Sequence, residues 1–317
     1  MNHTQSLPAA FLIAATASGK SDLLLKLGHE LSDKFEIISV DSAQVYRGLN
    51  IGTAKPSFEQ QQIVKHHLID CVDPDQNFTV AMFIQQALQQ AQAIHNSGKI
   101  PIFAGGSMMY FHALEHGLAC MPTIDCTTKQ RVEAIIQQGK AWAELNQYDP
   151  ESAARIHQHD NQRIARALEI YFVSGSPISK LQAQTTKPQM NFTGPKIILS
   201  PYEREQAHQR VNTRFDNMLA AGLVTELKTI IANSKHRLSA THSSMRCIGY
   251  RQIWQYLHNQ CGYAEAVAKA KTATRRYLKQ QCTWIKHWKG QHRVINCKQT
   301  CFEALRKYIL KQHMLLQ

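Results

Sequence analysis

No apolar run in the chain's 317 residues approaches the roughly 20 that a membrane span requires. No Lys or Arg precedes the short apolar stretch near the N-terminus, so that stretch does not read as a secretory signal. The 8 cysteines include no Cys-x-x-Cys pair, and the spacing Cys297…Cys301 lacks the second half of a zinc site. Reduced thiols in the cytoplasm are therefore the better expectation. Neither an internal repeat nor a sustained heptad is present. Acidic residues are scarce: 23 Asp and Glu face 36 Lys and Arg, for a net charge of +13. Such a surplus suits a polyanionic partner, because each phosphate neutralised releases counterions; it also suits a well-solvated enzyme with a basic surface. The hydrophobic share of 44% and charged share of 19% fit a globular protein of one large or two ordinary domains.

The apolar run Ala10-Phe11-Leu12-Ile13 is followed by Ala14-Ala15-Thr16-Ala17-Ser18-Gly19-Lys20-Ser21, and then by Asp22-Leu23-Leu24-Leu25-Lys26-Leu27, which starts a helix. Strand, small-residue loop, Gly-Lys-Ser, helix is the layout of a phosphate-binding loop. In such a loop backbone N–H groups and a helix N-terminus face the anion. Lys20 adds a mobile positive charge, and the Ser21 hydroxyl can hold a magnesium ion. The other reading is a helix start capped by a serine. Ala14 stands where the motif has its first glycine. Alanine lacks glycine's freedom at positive φ and adds a methyl where the backbone must approach a ligand.

Residues 22–34 predict a helix, and 35–40 a buried strand ending at Asp41-Ser42-Ala43-Gln44. Ligands of open α/β sheets sit beyond the carboxyl ends of the strands, which puts Asp41 on the same edge as Lys20. An aspartate there serves equally to cap a turn. A glycine-punctuated loop over 46–56 carries two positive charges, Arg47 and Lys55. His66 and His67 stand near Asp70 and Asp73, but without a third ligand they do not make a metal site. Residues 78–97 read as a helix, and 100–104 as a third strand running into Gly105-Gly106-Ser107 and a helix over 108–115. The alternation predicts an α/β fold with a parallel sheet flanked by helices. Three strand ends then present Lys20, Asp41 and the Gly-Gly-Ser turn.

Composition shifts near Met121-Pro122-Thr123, and 121–194 is expected to be a helical insertion with helices over 129–138, 141–147, 150–157 and 161–174 and a polar, turn-rich end over 185–194. Ile197-Ile198-Leu199 returns the chain to the sheet, so the core comprises 1–120 and 195–317. The last third predicts helices over 203–220, 223–233, 249–258, 263–289 and 300–313. The fourth of these carries Lys269, Lys271, Arg275, Arg276, Lys279, Lys286 and Lys289, interleaved with Tyr277, Trp284 and Trp288. Arg275, Lys279 and Lys286 share one helix face. A basic stripe with aromatics fits a nucleic-acid backbone groove; the alternative is a solvated face with the tryptophans in the core.

The segments Thr16–Ser21, Ile38-Ser39-Val40-Asp41-Ser42-Ala43-Gln44-Val45-Tyr46, Gly52-Thr53-Ala54-Lys55-Pro56 and Gly105-Gly106-Ser107-Met108-Met109-Tyr110 occur in this order. They are followed by Gln162-Arg163-Ile164-Ala165-Arg166-Ala167-Leu168-Glu169, Arg246-Cys247-Ile248-Gly249-Tyr250-Arg251-Gln252 and Thr283-Trp284. The ordered set resembles the bacterial tRNA dimethylallyltransferases, from Ala14 to about Trp288. The chain departs from that family's pattern at Ala14-Ala15 for Gly-Pro, at Ser21 and Ser107 for Thr, and at Lys279-Gln280-Gln281 for Lys-Arg-Gln.

The resemblance implies a P-loop fold and a Mg²⁺-dependent transfer of a prenyl group from dimethylallyl diphosphate to N6 of adenosine 37, beside the tRNA anticodon. It implies that Ala14, Ala15, Thr16, Ala17, Ser18, Gly19, Lys20, Ser21 and Arg214 hold the diphosphate, with Ser21 on the metal. Asp41 would be the base that takes the N6 proton, with Ser107 hydrogen-bonding nearby. The segments 41–44, 162–166, 246–251 and 279–286 (including Cys282 and Ile285), together with Ser107 and Lys129, would meet the anticodon stem-loop. The target nucleotide would be flipped into a channel, since a stacked base cannot reach a buried electrophile. A monomeric cytoplasmic enzyme that engages no membrane is the expectation. Two other classes remain at this stage. One is a small-metabolite kinase whose Arg131, Arg155, Arg163 and Arg166 clamp phosphates. The other is an RNA-binding protein with a decayed phosphate loop.

Overall fold

The computed structural model describes residues 6–184, 192–200, 203–234, 237–288, 292–295 and 298–317. Residues 185–191 of the expected turn-rich stretch, Lys289 and Cys297 lie outside the described residues. The chain divides into two compact units, 1–111 with 191–317, and 112–190. The change of unit falls inside a helix, ahead of the compositional break at 121.

The first unit opens with strands β1 (Leu7–Pro8) and β2 (Ala10–Ala14), helix α1 (Lys20–Leu31), β3 (Phe35–Val40), α2 (Phe58–Ile63), β4 (His66–His67), α3 (Val80–Asn96) and β5 (Ile100–Gly105). Helix α4 (Met108–His116) leads into the second unit, which holds α5 (Cys126–Gln137), α6 (Ala141–Tyr148), α7 (Pro150–Arg155), α8 (Asn161–Ser174) and α9 (Ile178–Ala183). The chain then returns through β6 (Phe192–Thr193), β7 (Lys196–Leu199), α10 (Arg204–Ala220) and α11 (Leu223–Asn233). A 3-10 turn (Ser243–Arg246), α12 (Tyr250–Leu257), α13 (Tyr263–Lys286), β8 (Arg293–Ile295) and α14 (Lys298–Leu316) complete it. No helix among the described residues is long and apolar enough to cross a membrane.

The main sheet runs β4-β3-β5-β2-β7-β8, with every pairing parallel. Its inner strands are almost wholly buried and predominantly apolar because both faces are covered. On one face Leu12, Ile37 and Ile102 meet Leu24 and Leu27 of α1 and Phe302 and Leu305 of α14. Parallel pairing brings the carboxyl ends of β2, β3 and β5 to one edge, with Gly105 opposite both Ile13 and Val40. A methyl on Gly105 would stand 2.0 Å from the Val40 carbonyl oxygen, a backbone atom that cannot swing away. Gly105→Ala is therefore expected to destabilise the protein by about 2–4 kcal/mol, read from the denaturant midpoint, because the two strands that carry the site must part.

The second unit has its own core of Val132, Leu145, Ile164 and Leu168 from α5, α6 and α8. Asp149 at the α6–α7 junction is buried. It accepts from the N–H and hydroxyl of Ser152 (3.0 and 2.8 Å) and of Ser179 (3.0 and 2.7 Å). Burial alone would raise its pKa, but the Ser179 and Ser152 bonds outweigh that and hold the carboxyl below its ordinary value.

Candidate active site

β2 stays extended to Ala14, and the next five residues wrap into the N-terminus of α1, whose first residue is Lys20. The left-handed positions are Ala17 (φ +62°) and Gly19 (φ +83°), not Ala14. The strain expected from alanine at position 14 is thus absent, because the strand has not yet turned there. Gly19 also packs against Lys298, whose ammonium reaches Asp22 at 3.3 Å. The Ser18 hydroxyl is buried and has no hydrogen-bond partner among the described residues. An orphaned hydroxyl in this loop is what a phosphate oxygen would satisfy.

Lys20 and Ser21 line a cavity of about 210 Å³ with Leu24, Ile37, Ser39, Lys55 and His66. Burial pushes the Lys20 pKa below its ordinary value; the Asp41 carboxylate opposes that shift and the Arg214 guanidinium adds to it. Arg214, on α10, is likewise lowered by burial and supported by Asp41. His66 is lowered to about 4, first by burial and then by the charges of Lys20 and His67, against the bond from its Nδ1 to the Val64 carbonyl (2.8 Å). It is a neutral imidazole at pH 7.

Asp41 divides its work between its two oxygens. Oδ1 accepts the N–H groups of Ala43 (2.9 Å) and Gln44 (3.3 Å), closing the turn after β3. Oδ2 carries no hydrogen bond among the described residues. Ser107 Oγ accepts the Ser42 N–H at 3.0 Å and donates to Ser42 Oγ at 3.4 Å, tying the β5 turn to the β3 turn. Burial, with Asp41 the next cause, pushes Cys247 and Tyr277 up to about 12. The three strand ends read from sequence therefore meet, with Arg214, Cys247 and Tyr277 joining them.

The two charges of the 46–56 loop are spent internally, Arg47 on Asp73 (2.9 Å) and Lys55 on Asp70 (2.5 Å). Several residues expected at the RNA are placed otherwise. Gln44 is buried, its Oε1 accepting from the Ser39 hydroxyl (3.0 Å) and its amide donating to the Ala54 carbonyl (3.2 Å). Ile164 lies in the core of the second unit. Gly249 is buried, and Tyr250 is 0% exposed, its hydroxyl donating to Glu226 and accepting the Gly52 N–H at 3.0 Å. Gln281 and Ile285 face inward on α13. These six are buried beneath the surface in this structure.

The exposed set is Ser42, Lys129, Gln162, Arg163, Arg166, Arg246, Arg251, Lys279, Gln280, Thr283, Trp284 and Lys286, with Ala43, Ala165, Cys247, Ile248 and Cys282 half-buried. Arg275 drops out of the basic stripe because its guanidinium donates to Asn212 (2.8 Å) and Thr272 (2.9 Å). Trp284 is 42% exposed, whereas Trp288 packs edge-on against Phe111. Sequence reasoning named Tyr277 only as an aromatic of the basic helix and His66 only as half of a rejected metal pair, and it did not single out Lys298. Each reaches the site through a long-range pairing that local spacing does not reveal.

A small-residue loop between a strand and a helix at the carboxyl edge of a parallel sheet, faced by a carboxylate and a second cation, gives an α/β protein with the layout of a P-loop fold. Comparison with known proteins narrows the class. Residues 44–288 match the family model described as IPP transferase. The chain is 42% identical over 283 residues to the tRNA dimethylallyltransferase of Nitrosococcus oceani, covering 88% of each. With that of Halorhodospira halophila it shares 43% identity, covering 88% of this chain and 90% of the relative. The full-length tRNA isopentenylpyrophosphate transferase of Bacillus halodurans has a similar structure (TM-score 0.67, 30% identity, 98% of this chain and 97% of that one). So does a eukaryotic dimethylallyltransferase acting on tRNA (TM-score 0.75, 25% identity, 96% and 80%). The chain belongs to the IPP transferase family.

Proposed function

We propose that this protein transfers the dimethylallyl group of dimethylallyl diphosphate to N6 of adenosine 37 in the anticodon stem-loop of tRNA. The observation that carries the reading is the free Oδ2 of Asp41 beside a phosphate loop with an unsatisfied hydroxyl. The exocyclic amine is a weak nucleophile, its lone pair delocalised into the ring. A carboxylate oxygen that accepts its N–H orients it and takes the proton as the N–C bond forms. As the C–O bond of the donor breaks, charge passes to the diphosphate, where loop N–H groups, Ser18, Lys20 and Arg214 stabilise it. Leu24 and Ile37 give the cavity beside Lys20 an apolar wall for the prenyl chain. Ser21, opening α1 at that cavity, fits Mg²⁺: its hydroxyl would hold the ion against the diphosphate, and the ion would supply further positive charge there. One chain furnishes Lys20, Asp41 and Arg214, so a monomer suffices, and a tRNA substrate fits a cytoplasmic enzyme.

The direct test is incubation with dimethylallyl diphosphate and unmodified tRNA, followed by nucleoside mass analysis. The expected product is N6-isopentenyladenosine. ATP turnover stimulated by a small metabolite, with no prenyl transfer, would move the assignment to a kinase. The exposed cations of α13 supply a second prediction. Replacing Lys279 and Lys286 together by alanine should flatten the salt dependence of tRNA binding by roughly one to two units of slope, with donor affinity little changed. An unchanged slope would leave these lysines as a solvated face.

A further inference from the structure

The inner face of α13 carries Leu278, Gln281 and Ile285, two aliphatic side chains flanking an amide. Gln281 is only 2% exposed, yet both ends of its amide are used. Its Oε1 accepts the Thr16 N–H of the phosphate loop at 2.9 Å. Its Nε2 donates to the Gly106 carbonyl of the β5 turn at 2.8 Å. The Tyr277 hydroxyl, one helical turn earlier, donates to the same Gly106 carbonyl at 3.4 Å. A single side chain thus spans the loop that would hold the leaving group and the turn that supports Asp41. It does so from the helix whose outer face presents Lys279, Trp284 and Lys286.

We infer that Gln281 is a positioning residue: it fixes the phosphate loop in the geometry that receives a diphosphate. The inference rests on the diphosphate-transfer reading above. A main-chain N–H at the loop's midpoint that had lost its acceptor would be free to rotate, and a cradle built from aligned N–H groups depends on their alignment. An amide can hold the loop and the turn at once because it has an acceptor and a donor on one planar group. An aliphatic side chain of the same size would fill the space and hold neither.

The test compares Gln281→Leu with Leu278→Ala, which loosens the same face of α13 without touching the loop. Titration with inorganic pyrophosphate is expected to show affinity about tenfold weaker, or worse, in the leucine variant, since both buried partners are left unpaired. The KM for dimethylallyl diphosphate should rise by the same factor while the KM for tRNA stays put. Leu278→Ala should lower the melting temperature and leave pyrophosphate affinity near that of the unaltered protein. Should Gln281→Leu not fold, Gln281→Asn, too short to span both groups, carries the same expectation. Equal losses in the two variants, or none in the glutamine variant, would overturn the inference while leaving the transfer reading intact. An unaltered protein that bound no pyrophosphate would instead overturn the phosphate-loop reading and this inference with it.

Discussion

Asp41→Asn is expected to lower the single-turnover rate of prenyl transfer by about 10²–10⁴, the range over which a positioned base contributes. The fold should hardly notice. Oδ1 of the native residue accepts from Ala43 and Gln44, and an asparagine carbonyl placed there accepts the same two N–H groups. The NH₂ then occupies the position of Oδ2, where it cannot take a proton and meets the adenine amine donor to donor. Donor binding should stay largely intact or tighten, because a negative charge beside Lys20 and Arg214 that repels an incoming diphosphate is gone. The measurement is transfer at saturating tRNA in a single turnover, beside a thermal melt. A folded variant that transfers at a near-normal rate would show Asp41 to be only the cap of its turn.

That division of labour could not be read from the sequence, although its location could. The inner strands β2, β3, β5 and β7 are predominantly apolar, broken only by Glu36 and Ser39 in β3, Pro101 in β5 and Lys196 at the start of β7. Their places and their common carboxyl edge therefore followed from pattern alone. The edge strands β4 (His66–His67) and β8 (Arg293–Ile295) have no such signal. Each exists only because a neighbour of remote sequence offers a free edge. Helix α2 did leave a trace, the capping box of Ser57 and Gln60, but it buries no side chain and so shows no periodicity. The basic surface was legible as charge and not as partner. Arg47, Lys55 and Arg275 look alike in sequence to Lys279 and Lys286, yet the first three are held by neighbours that only the fold supplies. Gln281 was hidden for the opposite reason: a polar residue in a basic helix reads as surface, and only its spacing from Leu278 and Ile285 hinted at an inward face.

Lys20→Met should separate function from stability, with opposite signs. The transfer rate is expected to fall by about 10²–10³, as when one preorganised donor is removed from a charge that develops during reaction. The free protein should be at least as stable as before at neutral pH. Burial depresses the Lys20 pKa, so between the folded value and the ordinary 10.5 the unfolded chain binds the extra proton and stability rises with pH. Below that window the folded protein carries a poorly solvated ammonium, and its cost is what methionine removes. The stability advantage of the variant should therefore shrink as the pH is raised toward the ordinary lysine range. The native protein should show the converse in its ligand binding. A diphosphate favours the charged lysine, so donor affinity should weaken as the pH rises through the folded pKa, and that dependence should be lost in the variant. Arg214 remains to balance Asp41, so the carboxylate is not stranded. Denaturant melts across the alkaline range, run with pyrophosphate titrations of both proteins, decide the matter. A methionine variant that is markedly less stable at neutral pH yet binds pyrophosphate normally would make Lys20 a structural residue and remove it from the site.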